Sequence, residues 1–325
     1  MRRREFISMI AGAAAWPLGA RAEQPAMPVI GFLNPPPAAE AIPHLIAAFR
    51  RGLADAGYVQ GKNLAVKYRF GNYKLELLSE LARDLVHLNV SVIFASTPEA
   101  GVAIRNATTS IPVVALDLES DPVAAGYVKS LARPGGNVTG MFLDILELSG
   151  KQTSLLKEIV PHLSRIAIFG VPGLNALEFA AAETAARALA LEAENMEVRV
   201  PDDFKRALEV ARTKHTEAGV LLSSPLVWLA SKQIGELAIA KRLPLISLFA
   251  KFPMASGLIA YGPNVADLFR RCGDYVAKIL NGAKPSDLPI QRPDKFDLVI
   301  NLKTAQAIGV SVPPVLLASA NAVIE

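Results

Sequence analysis

PVIGFLN, at residues 28–34, is a short apolar run that follows a proline and ends at an asparagine. A helical pattern from Ile42 to Ala56 comes next, with Gly57 as its stop signal. Together they predict a strand followed by a helix. Hydrophobic residues make up 51% of the chain and aromatic residues only 6%, an aliphatic balance typical of parallel strands that helices cover on both faces.

The alternation of strands and helices continues along the chain in two series. In the first series, strands are predicted at residues 64–70, 90–95, 112–116 and 138–142, and helices at 75–88, 98–107 and from 121 to near 133. In the second, strands are predicted at 166–169, 197–200, 219–222, 245–248, 258–261 and 296–301, and helices at 148–159, 176–191, 204–214, 229–241 and 264–280. Because the chain is too long for a single core, two such series predict an α/β protein of two doubly wound parallel-sheet lobes joined by a multi-strand hinge.

The order of these elements divides the chain between the two lobes. Residues 28–140 plus 263–286 are assigned to an N-terminal lobe, and residues 141–262 plus 287–325 to a C-terminal lobe. The turn signal PGGN, at residues 134–137, is interpreted as a crossing between them. Lobes joined by short strand crossings can close on a ligand by a hinge motion.

Residues 1–22 have the order of a signal peptide: a basic start, an apolar run from Ile7 to Leu18, and Ala-Arg-Ala before the expected cleavage after Ala22. The apolar run is shorter than the roughly twenty residues that a membrane-spanning helix needs. RREFI, at residues 3–7, resembles the twin-arginine export motif, with an ordinary Sec signal as the alternative. We therefore expect a soluble periplasmic protein that is exported by the twin-arginine machinery.

The charge and the chemical groups exclude several classes of function. The first 22 residues contain four arginines and one glutamate, so they account for +3 of the net charge of +4, and the remainder does not indicate nucleic-acid binding. Cys272 is the only cysteine, which excludes an intramolecular disulfide. The four histidines lie in helical patterns or at their ends, and no common hydrolase, protease or nucleotide-binding motif occurs. We expect no enzyme activity, no metal and no cofactor.

Six stretches of the chain, in order, carry a resemblance to a known family. They are PVIGFLN (28–34), AAFRRGL (47–53), AGYV (56–59), RPGGNVTG (133–140), DLP (287–289) and FDLVINLKTA (296–305). In these stretches the chain resembles ABC transporter substrate-binding proteins of the tryptophan/tyrosine-transport type, which have a type I periplasmic-binding fold. The resemblance implies the periplasmic solute-binding component of an ABC importer, with a permease and its ATPase as partners and a small amino-acid-like or aromatic solute as ligand. The alternatives are a ligand-sensing periplasmic subunit for a membrane receptor and an exported enzyme on the same scaffold.

In this fold the ligand lies between the lobes, on loops at the carboxyl ends of strands. The candidate ligand-binding residues on those loops are Asn34, Ser96, Thr97, Asp117, Asp121, Asn175, Ser224, Trp228, Phe249, Phe252 and Tyr261. Ser96 and Thr97 precede a proline-started helix, where they either bind a ligand carboxylate or only cap the helix. Asp121 is the first candidate for binding a ligand ammonium group and Asp117 the second. The four aromatic residues are expected either to stack on the ligand or to belong to the core or rim.

Two loops of the second lobe differ from the family pattern. Relatives tend to carry an Asn-Pro-rich loop where this chain has GVPGLN at residues 170–175, and many have Asp-Pro where it has Ser224-Pro225. Both loops lie in the expected cleft. The resemblance therefore predicts the lobes and the cleft but leaves the identity of the ligand open.

Overall fold

The fold was obtained as a computed structural model, which describes residues 27–35, 38–72 and 74–325. The expected signal peptide lies outside the described residues. In chain order the first part contains β1 (Val29–Asn34), α1 (Pro43–Asp55), β2 (Ala65–Phe70), α2 (Leu78–His87), β3 (Val92–Ala95), α3 (Pro98–Ala107), β4 (Val113–Asp117) and β5 (Val138–Phe142). It continues with α4 (Ile145–Ile159), β6 (Arg165–Gly170), α5 (Ala176–Ala188), β7 (Glu192–Glu197), α6 (Asp203–Thr213), β8 (Ala218–Leu221), α7 (Pro225–Lys241) and β9 (Leu245–Ser247). The last elements are α8 (Lys251–Met254), β10 (Ile259–Pro263), α9 (Val265–Leu280), β11 (Phe296–Asn301), α10 (Leu302–Ile308), α11 (Pro314–Ser319) and β12 (Ala322–Ile324).

The first lobe is built on a five-stranded parallel sheet with the order β2-β1-β3-β4-β5. Helix α9, which comes much later in the chain, packs on α1 in this lobe. Two glycines permit the close approach of these helices, since a Cβ at Gly52 would lie 1.9 Å from the Arg270 carbonyl oxygen and one at Gly273 would lie 2.3 Å from that of Phe49. Helix α9 thus packs in the first lobe, although β6 to β10 of the other sheet precede it in the chain.

The second lobe is built on a seven-stranded sheet with the order β12-β11-β10-β9-β8-β6-β7. All of its strand pairs are parallel except β10 with β11, which is antiparallel. The expectation of a purely parallel sheet is corrected at this pair. The reason is the path of the chain: β10 leads out of the lobe to α9, and β11 brings the chain back in the opposite direction.

Three segments pass between the two sheets: residues 142–145, 263–265 and 281–296. The third segment pairs with the end of β5, where the Gln291 nitrogen donates to the Gly140 carbonyl at 3.0 Å and the Phe142 nitrogen donates to the Gln291 carbonyl at 2.9 Å. An ion pair of 2.8 Å joins Arg292 on this segment to Asp144 on the first. Strand β5 continues to Phe142, two residues beyond the lobe boundary expected from the sequence.

The segment after β4 contains turns where a helix was predicted from residue 121 to near 133. The Asp121 carboxylate accepts hydrogen bonds from the nitrogens of Val123 and Ala124, at 2.8 and 3.0 Å, as a helix cap does. Gly126 then has a left-handed φ of 69°, which ends the turn before a helix forms. The Gly-Gly turn at residues 135–136 is also corrected. It joins β4 and β5 within the first sheet and is not a crossing between the lobes.

The helix predicted at residues 176–191 and the strand predicted at 197–200 are both shifted. Helix α5 ends at Ala188, and Ala190 has a left-handed φ of 56° that stops it. Strand β7 then occupies residues 192–197, where exposed glutamates at an edge of the sheet hide the strand pattern. Helix α7 begins at Pro225, four residues before its predicted start, because Ser224 caps it.

Candidate ligand-binding site between the lobes

A cavity of about 100 Å³ lies between the two lobes, and residues of both lobes line it. Its apolar lining in the first lobe comes from Ile42, Leu45, Leu116, Leu118, Val265 and Phe269. The second lobe contributes Trp228 and Phe249, whose rings make an edge contact with centroids 5.1 Å apart. The polar side chains in the lining are Asn34, Ser96, Thr97 and Glu119.

These polar residues meet because β1, β3 and β4 are neighbouring parallel strands. Asn34 is the last residue of β1, Ser96 follows β3 directly, and Glu119 stands two residues after β4. The carboxyl ends of parallel strands lie at the same edge of a sheet, where open α/β sheets bind their ligands. The first-lobe half of the cavity therefore follows from the strand order.

Asn34, Ser96 and Thr97 were all expected at the site, and the structure brings the three together in the lining. The Ser96 hydroxyl donates to the Leu33 carbonyl at 3.1 Å, and the Thr97 hydroxyl caps α3 by accepting from the Ala100 nitrogen at 3.4 Å. Asn34 is only 3% exposed, yet its Oδ1 has no hydrogen-bond partner among the described residues. An unpaired buried acceptor is costly, so it marks a place where a donor is missing.

Glu119 is the residue that the sequence reasoning missed. It is 7% exposed, and its carboxylate accepts hydrogen bonds from the Ser223 hydroxyl at 2.5 Å and from the Leu118 nitrogen at 3.1 Å. Burial, with smaller contributions from the charges of Asp117 and Glu99, raises the pKa of Glu119 to about 8. The only signal in the sequence is an acid inside a strand-end loop, between two more conspicuous aspartates.

A second buried acid lies behind Ser223, on the second lobe. The Glu178 carboxylate accepts from the Ser223 nitrogen at 2.9 Å and from the Asn175 side-chain amide at 2.8 Å. Burial, followed by the charge of Glu119, raises the pKa of Glu178 well above its usual value. Asn175, another expected site residue, is fully buried, and its amide is used within the lobe by Glu178, Ser223 and Val171.

The two aspartates expected to bind an ammonium group do not line this cavity. Asp117 holds its own loop, accepting from the nitrogens of Glu119 and Ser120 at 3.0 and 2.9 Å and from the Ser120 hydroxyl. Burial raises the pKa of Asp117. Asp121 is exposed and lies at a separate interlobe cavity that also contains Leu146 and Leu177.

The remaining candidates are divided between the cavity and the core. Phe252 is fully buried in the core, and Ser224 is fully buried as the cap of α7, accepting from the Val227 nitrogen at 3.1 Å. Tyr261 stacks on Phe296 with ring centroids 5.6 Å apart and lies at another cavity. Of the aromatic candidates, the structure thus brings Trp228 and Phe249 to the cavity and leaves Phe252 and Tyr261 away from it.

The arrangement combines an apolar chamber with a small set of hydrogen-bond acceptors. No lysine, arginine or histidine occurs among the described residues of its lining. Within the described part of the chain, no group of acids, histidines or cysteines has the arrangement of a metal site. None of the described helices is long and apolar enough to cross a membrane.

Two α/β lobes around a shared apolar cavity define a small-solute-binding protein with the type I periplasmic-binding fold. The chain belongs to the family of ABC transporter substrate binding proteins, whose sequence profile matches residues 38–324. This is a family of solute-binding proteins and not of enzymes. The family, the fold class and the general function expected from the sequence are thereby confirmed.

Individual relatives agree with this assignment. The chain is 26% identical over 269 residues to the tyrosine-binding protein of Clostridioides difficile, a match that covers 80% of this chain and 75% of that protein. A conserved domain protein of Vibrio cholerae has a similar crystal structure, with a TM-score of 0.81, 26% identity and coverage of 91% of this chain and 99% of that one. The ABC domain of a Streptococcus pneumoniae protein in complex with L-Trp has a TM-score of 0.83 at 22% identity, with the same coverage of both chains.

Proposed function

We propose that this protein captures a small solute with an aromatic or apolar body in the cavity between its lobes and delivers it to the permease and ATPase of an ABC importer. The observation that supports this most directly is the cavity itself, in which Trp228 and Phe249 of one lobe share the lining with apolar side chains of α1, α9 and the end of β4 in the other. Such a chamber favours a flat apolar group, since aromatic surfaces bury a large area at a low cost in conformational entropy.

The relatives support an aromatic ligand. One is a tyrosine-binding protein, and the S. pneumoniae structure contains L-Trp. In this chain two loops of the second lobe, at residues 170–175 and 224–225, differ from the pattern of the family, so the polar part of the ligand has to be argued separately. We propose that the ligand leaves unchanged, since the described residues of the cavity lining include no serine, threonine or cysteine paired with a histidine or lysine base.

Export completes the proposal. Residues 1–22 carry the features of a twin-arginine signal peptide, and the chain would act in the periplasm after cleavage following Ala22. There it would deliver its ligand to a permease in the inner membrane. Amino-terminal sequencing of the protein secreted to the periplasm tests the cleavage site, and replacing Arg3 and Arg4 by lysine tests the export route.

The binding proposal is tested by thermal unfolding of the mature protein against a panel of aromatic amino acids, aromatic amines, aromatic carboxylic acids and non-aromatic amino acids. A ligand that binds the native state raises the melting temperature by mass action. We expect aromatic members to raise it and non-aromatic amino acids to have no effect. If no aromatic compound changes the melting temperature, the proposal is wrong. Recovery of the bound compound unchanged after long incubation checks the absence of turnover.

A further inference from the structure

We propose that the interlobe cavity selects an organic amine in its cationic form, and that Glu119 and Asn34 bind the ammonium group. The inference rests on the proposed function and specifies the polar end of the ligand. It differs from the expectation of an amino acid bound through its carboxylate at Ser96 and Thr97.

The first argument is the balance of donors and acceptors. The Asn34 Oδ1 has no partner among the described residues, although the side chain is buried in the cavity wall. The Ser96 hydroxyl proton is already donated to the Leu33 carbonyl, which leaves an oxygen that can only accept. The Glu119 carboxylate accepts from Ser223 and Leu118, and its two oxygens have room for further donors. Beside the unpaired Asn34 Oδ1 it therefore offers a place for a group that donates. An ammonium group supplies three donors and needs no acceptor of its own.

The second argument is charge. Glu119 lines the cavity, the carboxylates of Asp117 and Glu99 act on it from the first lobe, and that of Glu178 lies near it across the lobe interface. The described lining contains no basic residue that would offset them. The ammonium of Lys251, from the second lobe, lies 4.8 Å from the ring of Trp228, against the aromatic wall. A ligand carboxylate would place a negative charge beside these acids and oppose their ionisation, whereas an ammonium would favour the ionised form of the nearest one.

The amino end of α3 does not change this conclusion. A helix amino terminus favours an anion, and this was the reason to expect a ligand carboxylate at Thr97. In the structure, the Glu99 carboxyl already stands in the first turn of that helix, where burial raises its pKa. Its Oε2 also lacks a hydrogen-bond partner among the residues described. The helix terminus is therefore part of the acidic region.

The protonation state of Glu119 is expected to change when a cationic ligand binds, and this change can be measured. Burial, with the neighbouring carboxylates, raises the pKa of this group to about 8, so without ligand it is mostly neutral at pH 7. An ammonium group next to the carboxylate stabilises the ionised form and lowers the pKa. Binding of a cationic amine at pH 7 is therefore expected to release close to one proton, while a ligand held only by its apolar body releases none.

The test uses three compounds that share an indole ring: tryptamine, L-tryptophan and indole-3-propionate. Isothermal titration of the mature protein at pH 7 is expected to show tryptamine binding at least tenfold more tightly than L-tryptophan, and indole-3-propionate more weakly than both. Repeating the tryptamine titration in buffers of different ionisation enthalpy measures the protons released.

Three variants locate the effect. Glu119→Gln keeps the shape and removes the charge, and is expected to weaken tryptamine binding at least tenfold and to abolish proton release. Glu158→Gln is the matched control, since Glu158 is exposed on α4. Asp121→Asn tests the position favoured by the sequence, and is expected to leave the affinity within twofold. Thermal unfolding and circular dichroism establish that each variant is folded.

The outcomes separate the two proposals. Tightest binding by indole-3-propionate or L-tryptophan overturns the selection of an amine but leaves aromatic-solute binding intact. Loss of tryptamine affinity in Asp121→Asn with full affinity in Glu119→Gln overturns the assignment of Glu119. If none of the three compounds binds while other aromatic compounds in the thermal panel do, the amine proposal alone is wrong. If nothing aromatic binds in either experiment, both proposals are wrong.

Discussion

The Ser223 hydroxyl, at the end of β8 in the second lobe, donates a hydrogen bond of 2.5 Å to the Glu119 carboxylate of the first lobe. The residues are 104 positions apart in the chain, and both are buried. The same serine donates its backbone nitrogen to Glu178 at 2.9 Å, so two acids meet at one residue of the interface. Contact between the lobes is thus coupled to the protonation of these acids, because each ionised carboxylate is costly in a buried site.

The stability of the protein is expected to fall as the pH rises from about 5 to about 8. Glu119 has a raised pKa, about 8, in the native state, and an ordinary value near 4.5 once the chain unfolds. Between these values the native state holds a proton that the unfolded state has lost, so stability is full below the lower value and declines toward the higher one. Glu178 acts in the same direction. Chemical unfolding across this range measures the decline, which we expect to be on the order of a few kcal/mol.

Glu119→Gln provides the control for this pH dependence. A glutamine keeps the contact to Ser223 but cannot ionise, so its unfolding free energy should change less between pH 5 and pH 8 than that of the original protein. Glu158→Gln should retain the full dependence. If the unfolding free energies of the two variants changed equally between pH 5 and pH 8, the pKa of Glu119 in the native state would not be raised.

Ser223→Ala is expected to loosen the contact between the lobes. The change removes the hydroxyl donor and leaves one oxygen of Glu119 without its partner, which costs about 1–3 kcal/mol if the site stays dry. Opening of the cleft lets water replace the hydroxyl, so we expect a larger radius of gyration in ligand-free solution scattering. Ser91→Ala, at an exposed position, serves as control. An unchanged radius of gyration for Ser223→Ala would show that the hydrogen bond from Ser223 to Glu119 does not hold the lobes together.

Trp228 provides an intrinsic fluorescent probe of the cavity. The chain has two tryptophans, and Trp16 lies in the segment expected to be cleaved, so the mature protein would retain Trp228 alone. A weakly fluorescent amine such as phenethylamine is expected to shift or quench its emission on binding. Trp228→Ala should weaken binding roughly tenfold or more, since an aromatic contact surface is lost. Trp228→Phe should retain most of the affinity, and equal losses in the two variants would exclude stacking.

Gly52→Ala is expected to destabilise the first lobe strongly. A Cβ at this position would lie 1.9 Å from the Arg270 carbonyl oxygen on α9, so the two helices would have to separate. Forced repacking of this kind typically costs about 1–3 kcal/mol or more. Denaturant unfolding measures the loss, and Gly101→Ala, where no atom lies within 4 Å of the added carbon, is the matched helical control. A Gly52 variant as stable as this control would show that α1 and α9 can move apart freely.

Much of the site could be anticipated from the strand ends. Asn34, Ser96 and Thr97 follow strands whose apolar runs are unmistakable, so the sequence leads directly to them, and all three line the cavity. Phe249 stands two residues after β9, whereas Trp228 lies in the first turn of α7. Asp121 and Glu119 show what the sequence could not predict. Both lie in one loop, but the geometry of that loop directs Asp121 toward the backbone nitrogen of Val123 and Glu119 toward Ser223 of the other lobe.

The sequence by itself determined the two α/β lobes, the family and the edge of the sheet at which a ligand would bind, because hydrophobic periodicity and short conspicuous motifs are local properties of the chain. The tertiary structure decided which polar side chains line the cavity between the lobes. Burial, followed by the charges of Asp117 and Glu99, raises the pKa of Glu119, and its hydrogen bond to Ser223 joins residues 104 positions apart in the chain. The antiparallel pairing of β10 with β11 was likewise settled only by the path of the chain between the lobes.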